Sequence, residues 1–427
     1  MEPTGRHNKE NENLRSRSTS RSSSSIPVQT PSPPPPTEKA VHAKVARILD
    51  ACRWEDVELL RLLATSDEGL LTDELRRQAW PLLLGFPVPG ATTPPEESID
   101  WRALPKHGDE GQVRLDVDRS FIYYPHNQSA RDLDRKKEEL SDLITEVLRR
   151  HPYLCYFQGY HDICQVFLLV LDRTSRAAAV ARLSTLRIRD FMLPTLAPAL
   201  AQLSLIPDII RASNPDLYYH LSGTQPFFAL SGTLTMYAHD IQEYGDIARL
   251  FDVFLAREAV FSVYMFAQIV LQRSEELFET PADEPEMLHS ILSKLPKPLN
   301  LEALIRNTVA LFEKYPPERL QRWSLISRSS VLKTGRWPSH ITEQTLEDGE
   351  AFFQKQVREL QWAERRDKAV AVAWKYRRPA GTLGLAVLVG VVSFWMRRSA
   401  WPSSLSTGLG ALWRWYSGTQ TSSSGIE

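Results

Sequence analysis

Tyr156-Phe-Gln158-Gly159-Tyr-His-Asp162 leads without a break into Ile163-Cys-Gln-Val-Phe-Leu-Leu-Val-Leu171, and that junction decides how the chain reads. The second half is almost wholly apolar, which predicts a helix buried on all sides. Upstream, Leu133, Leu140, Leu143, Ile144, Val147 and Leu148 share one face of a helix expected from Ser129 to Arg150. Its Arg135-Lys-Lys-Glu-Glu139 stretch belongs to the solvated side. Val41, Val45, Ile48 and Leu49 give another apolar face, followed by Leu59, Leu60, Leu62 and Leu63. Leu71 to Gly85 reads as a helix with Thr72 as N-cap and acids in its first turn, closed by Gly85 before Pro87 and Pro89. Residues 86–112, rich in Pro, Gly and acids, predict a long loop.

Downstream, residues 176–193, 198–213, 226–243, 246–256 and 259–274 continue the helical spacing. The brief alternations that resemble strands have no Asn-Gly or Asp-Gly turn beside them. The expected fold class is therefore all-α, with one domain over residues 40–320 and no internal repeat. Ala259 to Leu271 is apolar for only 13 residues and has Arg257-Glu258 at its edge, so it reads as a core helix rather than a membrane span.

The 427 residues suffice for one large domain or two ordinary ones. Lys and Arg total 51 against 52 Asp and Glu, a net charge of -1, which excludes a chain built to coat nucleic acid. Cys52, Cys155 and Cys164 form no CxxC pair and read as buried thiols in a reducing compartment.

The two ends differ from this middle. Residues 1–39 include RSRSTSRSSSS and PSPPPP, too polar to offset chain entropy, and predict a disordered tail up to about Thr37. No apolar signal-peptide segment occurs in the first 40 residues. Residues 321–375 read as a helical linker, amphipathic over 340–375, leading to an anchor region at 376–417. Within that region Pro379 to Met396 gives 18 residues without an ionisable side chain, reaching ~27 Å as a helix. Lys375, Arg377 and Arg378 precede it, Arg397 and Arg398 follow, and Trp374 and Trp395 stand at interface positions. This predicts a transmembrane anchor. Trp401 to Ser417 is a weaker apolar stretch suited to the membrane interface or a re-entrant hairpin. Basic residues on both sides leave the topology of the end open.

Two short motifs carry chemistry: Val113-Arg-Leu-Asp116-Val-Asp-Arg119-Ser120, and the Tyr156–Asp162 stretch, whose Gln158 lies 39 positions after Arg119. Arg offers a planar, permanently charged donor for phosphate oxygens, and Gln can orient a water. These are the groups that complete hydrolysis of a nucleotide held by another protein. Gly159 permits a close backbone approach, and Asp162 could cap the Ile163 helix.

The pair, in this order, resembles the IxxDxxR and YxQGxxD signature of the TBC domain, a GTPase-activating module for Rab GTPases. Arg77-Gln-Ala-Trp80-Pro-Leu-Leu-Leu-Gly85 resembles the family's opening helix. Phe227-Phe-Ala-Leu and Leu250-Phe-Asp252-Val-Phe-Leu resemble its later elements, so the likeness spans residues 70–275. Val113 stands for Ile, Ser120 for Thr and Phe227 for Trp.

The resemblance implies a multi-helix TBC fold with Arg119 as arginine finger and Gln158 as glutamine finger. Asp116, Tyr156, Gly159 and Asp162 would support the finger loops. The implied partner is a GTP-bound Rab of the early secretory pathway, with the GTP and its Mg²⁺ belonging to that partner, so no cofactor, metal or GTPase activity of the chain's own is expected. With the anchor, it implies the endoplasmic reticulum membrane, the catalytic domain facing the cytosol. Two other readings compete. His161-Asp162 and His239-Asp240, with His126, His151 and His220, allow an HD-type metal phosphohydrolase on paper, though without tight ligand spacing. A non-catalytic, membrane-tethered Rab-binding scaffold would need neither Arg119 nor Gln158.

Overall fold

The computed structural model describes residues 38–86, 100–126 and 128–398, with the backbone alone at 373, 375–387 and 395–398. The Ser/Pro-rich tail and the 401–417 stretch lie outside the described residues. The chain divides into two units, Met1–Lys44 and Val45–Glu427. Of the first, only the opening of a helix is described.

Among the described residues there is no strand, as the apolar periodicity predicts. The helices are α1 (Glu38–Arg53), α2 (Val57–Thr65), α3 (Asp73–Leu83), α4 (Glu110–Val117), α5 (Ala130–Arg150), α6 (Tyr160–Val170) and α7 (Arg173–Leu186). There follow α8 (Ala197–Leu203), α9 (Leu205–Ser213), α10 (Pro215–His220), α11 (Leu230–Leu234), α12 (Tyr244–Ala256) and α13 (Phe261–Gln272). The last are α14 (Ser274–Glu279), α15 (Pro285–Leu292), α16 (Leu301–Lys314), α17 (Val331–Thr334), α18 (Pro338–Glu343) and α19 (Leu346–Arg398).

The core of the second unit centres on three aromatic rings. Trp80 of α3, Phe167 of α6 and Phe251 of α12 meet with ring centroids 5.5 to 5.9 Å apart. Trp80 is fully buried, so its indole N–H needs a partner, and it donates to Asp252 Oδ1 at 2.8 Å. The same carboxylate, also without exposed surface, accepts from Arg76 Nε at 3.0 Å and from the Leu70 amide at 3.0 Å. That satisfies a charge which would otherwise be costly to bury. Helices α3 and α12 are thus clamped together, with Phe167 of α6 packed against both.

Helices apolar all round are buried all round. In α6 every residue except Asp162 and Leu169 is buried, and α13 is similarly enclosed, so Ala259–Leu271 is a core helix as expected. Ser129 caps α5, its hydroxyl accepting from the Asp132 amide at 3.1 Å. Thr72 occupies the N-cap position of α3 but makes no capping bond through its side chain.

Several expected boundaries shift. The loop over 86–112 contains a 3-10 turn at Trp101–Ala103 and gives way to α4 at Glu110, while 87–99 lie outside the described residues. The 198–213 helix is two, α8 and α9, joined at Ser204. A helix over 226–243 does not form. A 3-10 turn at Pro226–Ala229 precedes the short α11, and Met236 and Tyr237 adopt left-handed φ of 50° and 65°. Packing wins over local propensity here: the buried Tyr237 ring stacks on Phe254 at 5.6 Å and its hydroxyl donates to the Ser262 carbonyl at 2.9 Å.

Packing also continues past residue 320. Ile326, Val331, Leu332 and Phe353 join the core, and Gln356 of α19 donates to Asp190 Oδ1 at 2.9 Å. The first turns of the expected linker are therefore part of the packed unit. The expected span at 379–396 gains no support. Its backbone continues α19, and among the described residues no helix is long and apolar enough to cross a membrane.

Candidate functional site

α4 is a two-turn helix whose inward face is Val113, Asp116 and Val117, all buried. Arg119 follows its C-cap and points outward, with 60% of its side chain exposed. Asp116 has no exposed surface, so its carboxylate depends on internal donors. Oδ1 accepts from Arg119 Nη2 and from Gln112 Nε2, and Oδ2 accepts from the Tyr156 hydroxyl at 2.9 Å. One buried carboxylate therefore holds the arginine of the first motif and the tyrosine of the second.

A further tie joins the two loops. The Tyr156 amide donates to Asp109 Oδ2 at 2.9 Å, so the second loop is pinned near both ends of α4. Phe157 and Tyr160 turn inward and pack ring against ring at 5.6 Å, while Gln158 between them is exposed. Gly159 is the N-cap of α6 with φ of 102°, a conformation that L side chains rarely adopt. A Cβ there would lie 2.6 Å from Thr235 Cγ2. The glycine thus has an internal reason, backbone conformation and contact with Thr235, beside the close approach to a nucleotide expected from sequence.

Asp162 is not the helix cap. It lies in the first turn of α6, where negative charge suits the helix dipole, and pairs with two histidines. Its Oδ2 is 3.0 Å from His239 Nδ1 and its Oδ1 is 3.3 Å from His161 Nε2. His161 Nδ1 lies 3.2 Å from the Tyr156 hydroxyl. A connected line of side chains thus runs Arg119, Asp116, Tyr156, His161, Asp162, His239. Burial first, then the bond to Asp116, pushes the Tyr156 phenol far above its ordinary pKa, which keeps its proton in place. The hydrogen bond to Asp162 raises the pKa of His239. Burial lowers that of His161.

The loops that carry the two motifs are thus tied together through Asp116, with Arg119 and Gln158 exposed, Asp116 and Gly159 buried, and Tyr156 and Asp162 partly buried. Gln165 is a support of this region that sequence reading missed. Buried in α6, its amide oxygen accepts from the Phe121 amide at 3.0 Å and its nitrogen lies 3.4 Å from the Tyr124 carbonyl. It clasps the loop that follows Arg119, where Phe121 holds a left-handed φ of 62°. The one signal was a lone amide inside the apolar run Ile163–Leu171. His161 and His239, weighed as metal ligands with Asp162, belong to the support of this site. Among the described residues no group of three or more His, Cys, Asp or Glu is arranged to hold a metal ion.

A helical domain with these two motifs side by side corresponds to the Rab-GTPase-TBC domain, whose family model matches residues 73–278. The chain belongs to this family, as its relatives also show. TBC1 domain family member 20 of Bos taurus is 38% identical over 283 residues, covering 65% of this chain and 69% of the relative. GTPase-activating protein gyp10 of Schizosaccharomyces pombe is 34% identical over 312 residues, 72% of this chain and 82% of the relative. The crystal structure of the Ypt/Rab-GAP domain of Gyp1p matches with a TM-score of 0.45 at 15% identity, covering 64% of this chain and 99% of that one.

Proposed function

We propose that the chain is a GTPase-activating protein that completes, in trans, the active site of a GTP-loaded Rab. One observation carries the reading: the two oxygens of buried Asp116 hold Arg119 and Tyr156, so the exposed arginine and the exposed glutamine two residues further on stand on joined loops.

The chemistry follows from the side chains. During hydrolysis, charge spreads over the phosphoryl oxygens, and a guanidinium delivered in trans stabilises it. Asp116 occupies one terminal nitrogen of Arg119, fixing the fork while leaving its other donors for those oxygens. An arginine finger accelerates hydrolysis by about 10³–10⁵, equivalent to about 4–7 kcal/mol. Gln158 carries an acceptor and a donor on one amide, the pairing needed to orient an attacking water. In this reading it takes over the task of the Rab's own switch glutamine. The nucleotide and its Mg²⁺ stay with the Rab, and this chain supplies residues rather than an active site of its own.

Relatives named as GTPase-activating proteins support the reading. We further infer attachment to a membrane, the endoplasmic reticulum, and action on a Rab of the early secretory pathway. The support for attachment, at the membrane surface rather than across it, is exposed Leu388, Val389, Val391, Val392 and Phe394 on α19 and the basic residues flanking 379–396, while the organelle and the Rab rest on the resemblance. Apolar side chains exposed together on one helix suit lipid better than water.

The test is a panel of purified Rab GTPases loaded with GTP and mixed with the full chain. Phosphate release should accelerate for at least one Rab. Release at the intrinsic rate across the panel would refute the assignment.

A further inference from the structure

His161 is buried, and each of its ring nitrogens faces an oxygen. Nδ1 lies 3.2 Å from the Tyr156 hydroxyl, and Nε2 lies 3.3 Å from Asp162 Oδ1. The same hydroxyl is 2.9 Å from Asp116 Oδ2. A phenol has one proton to donate, so Tyr156 serves either Asp116 or His161, never both. If the proton goes to Asp116, Nδ1 must carry hydrogen and donate to the phenol oxygen. If it goes to His161, Nδ1 is bare, Nε2–H turns to Asp162, and Asp116 Oδ2 loses its donor.

Burial decides between these wirings. Asp116 has no exposed surface, whereas Asp162 keeps 15% and has a second partner in His239. A charged acceptor left without a donor costs most where water cannot replace it. The Tyr156–Asp116 contact is also the shortest of the three.

We propose that His161 is a positioning residue: by donating Nδ1–H to the Tyr156 oxygen, it commits the phenol proton to Asp116 and so fastens the Gln158 loop to the Arg119 loop. The imidazole acts through Tyr156 and need not touch the nucleotide. The groups facing it are Asp162 on its own helix, Asp116 on α4, Arg119 after α4, Tyr156 in the second loop and His239 after α11. The neutral Nδ1–H tautomer and the imidazolium both supply the required hydrogen, so the tie holds in either charge state. The inference rests on the function proposed above, but its first test does not.

That test is nitrogen NMR of the full chain with ¹⁵N-labelled histidine rings, the His161 signal being assigned by its loss in His161→Asn. At neutral pH the expected state has Nδ1 protonated, whether Nε2 is bare or carries a second proton. An Nε2–H tautomer would overturn the proposal. The second test is a double-mutant cycle on Rab GTP hydrolysis. Tyr156→Phe and His161→Gln should each lower the maximal stimulated rate on the order of tenfold to a hundredfold, leaving the half-saturating Rab concentration unchanged. The double variant should be no slower than Tyr156→Phe alone, because the two residues act as one unit. His161→Asn, whose amide can donate from near the Nδ1 position, should recover most of the rate. Losses that multiply, or no recovery by Asn, would contradict it. If wild type accelerates no Rab, the assigned function fails, while the tautomer still decides the wiring.

Discussion

Two residues with ordinary sequence character hold the site in shape. Gly159 combines a left-handed φ of 102° with a Thr235 methyl 2.6 Å from any added Cβ. Gly159→Ala should therefore cost about 1–3 kcal/mol from the backbone alone, seen as a lower denaturation midpoint. Adding Thr235→Ser removes the methyl and should recover only the steric part. A fully stable Gly159→Ala would mean that the turn is not held as described. Gln165→Leu keeps the volume but strands the Phe121 amide, and should cost about 1–3 kcal/mol while slowing stimulated hydrolysis. Unchanged stability and rate would show that the loop after Arg119 is held by other contacts. At this scale the motifs were legible and their supports only partly so. Asp116, Tyr156 and Asp162 could be named because they sit in the motifs. Gln165 could not, because its partners lie 44 and 41 positions away, and nothing local marks a side chain that bonds to a distant backbone. For Gly159 the residue is legible in its motif but the contact that requires it is not, since Thr235 is 76 positions further on.

Among the elements, the clamp between α3 and α12 has the most at stake. Asp252→Ala would leave Arg76 and the Trp80 indole without their buried acceptor, and should destabilise the fold by about 3–5 kcal/mol in a denaturant titration. A loss below 1 kcal/mol would show that Asp73, which also pairs with Arg76, suffices. Helices with strong apolar periodicity, such as α5 and α6, were readable because burial and spacing agree. Residues 226–243 were misread because a continuous helical spacing cannot reveal that Tyr237 is drawn inward onto Phe254. The junction of α8 and α9 at Ser204 was hidden for the same reason, with apolar residues on both sides of it.

Across the whole molecule, the all-α class followed from periodicity, but the end of packing at residue 320 did not. Phe353 and Gln356 enter the core from a segment rich in charged residues, and their burial depends on partners distant in sequence, the Tyr153 ring at 5.1 Å for Phe353 and the Asp190 carboxylate for Gln356. Removing residues 376–427 should release the chain from membranes in a flotation assay and leave Rab stimulation in solution intact. Continued flotation would place the attachment elsewhere, and lost stimulation would tie the end of the chain to catalysis. The central claim is that Arg119 and Gln158 act together on a Rab-bound nucleotide. Its most direct measurement is single-turnover phosphate release from the responding Rab with Arg119→Lys and with Gln158→Ala. Lysine lacks the guanidinium fork, so each variant should lose most of the acceleration, about 10³-fold or more for Arg119→Lys, while still binding the GTP-loaded Rab. Wild-type acceleration by either variant would contradict the account.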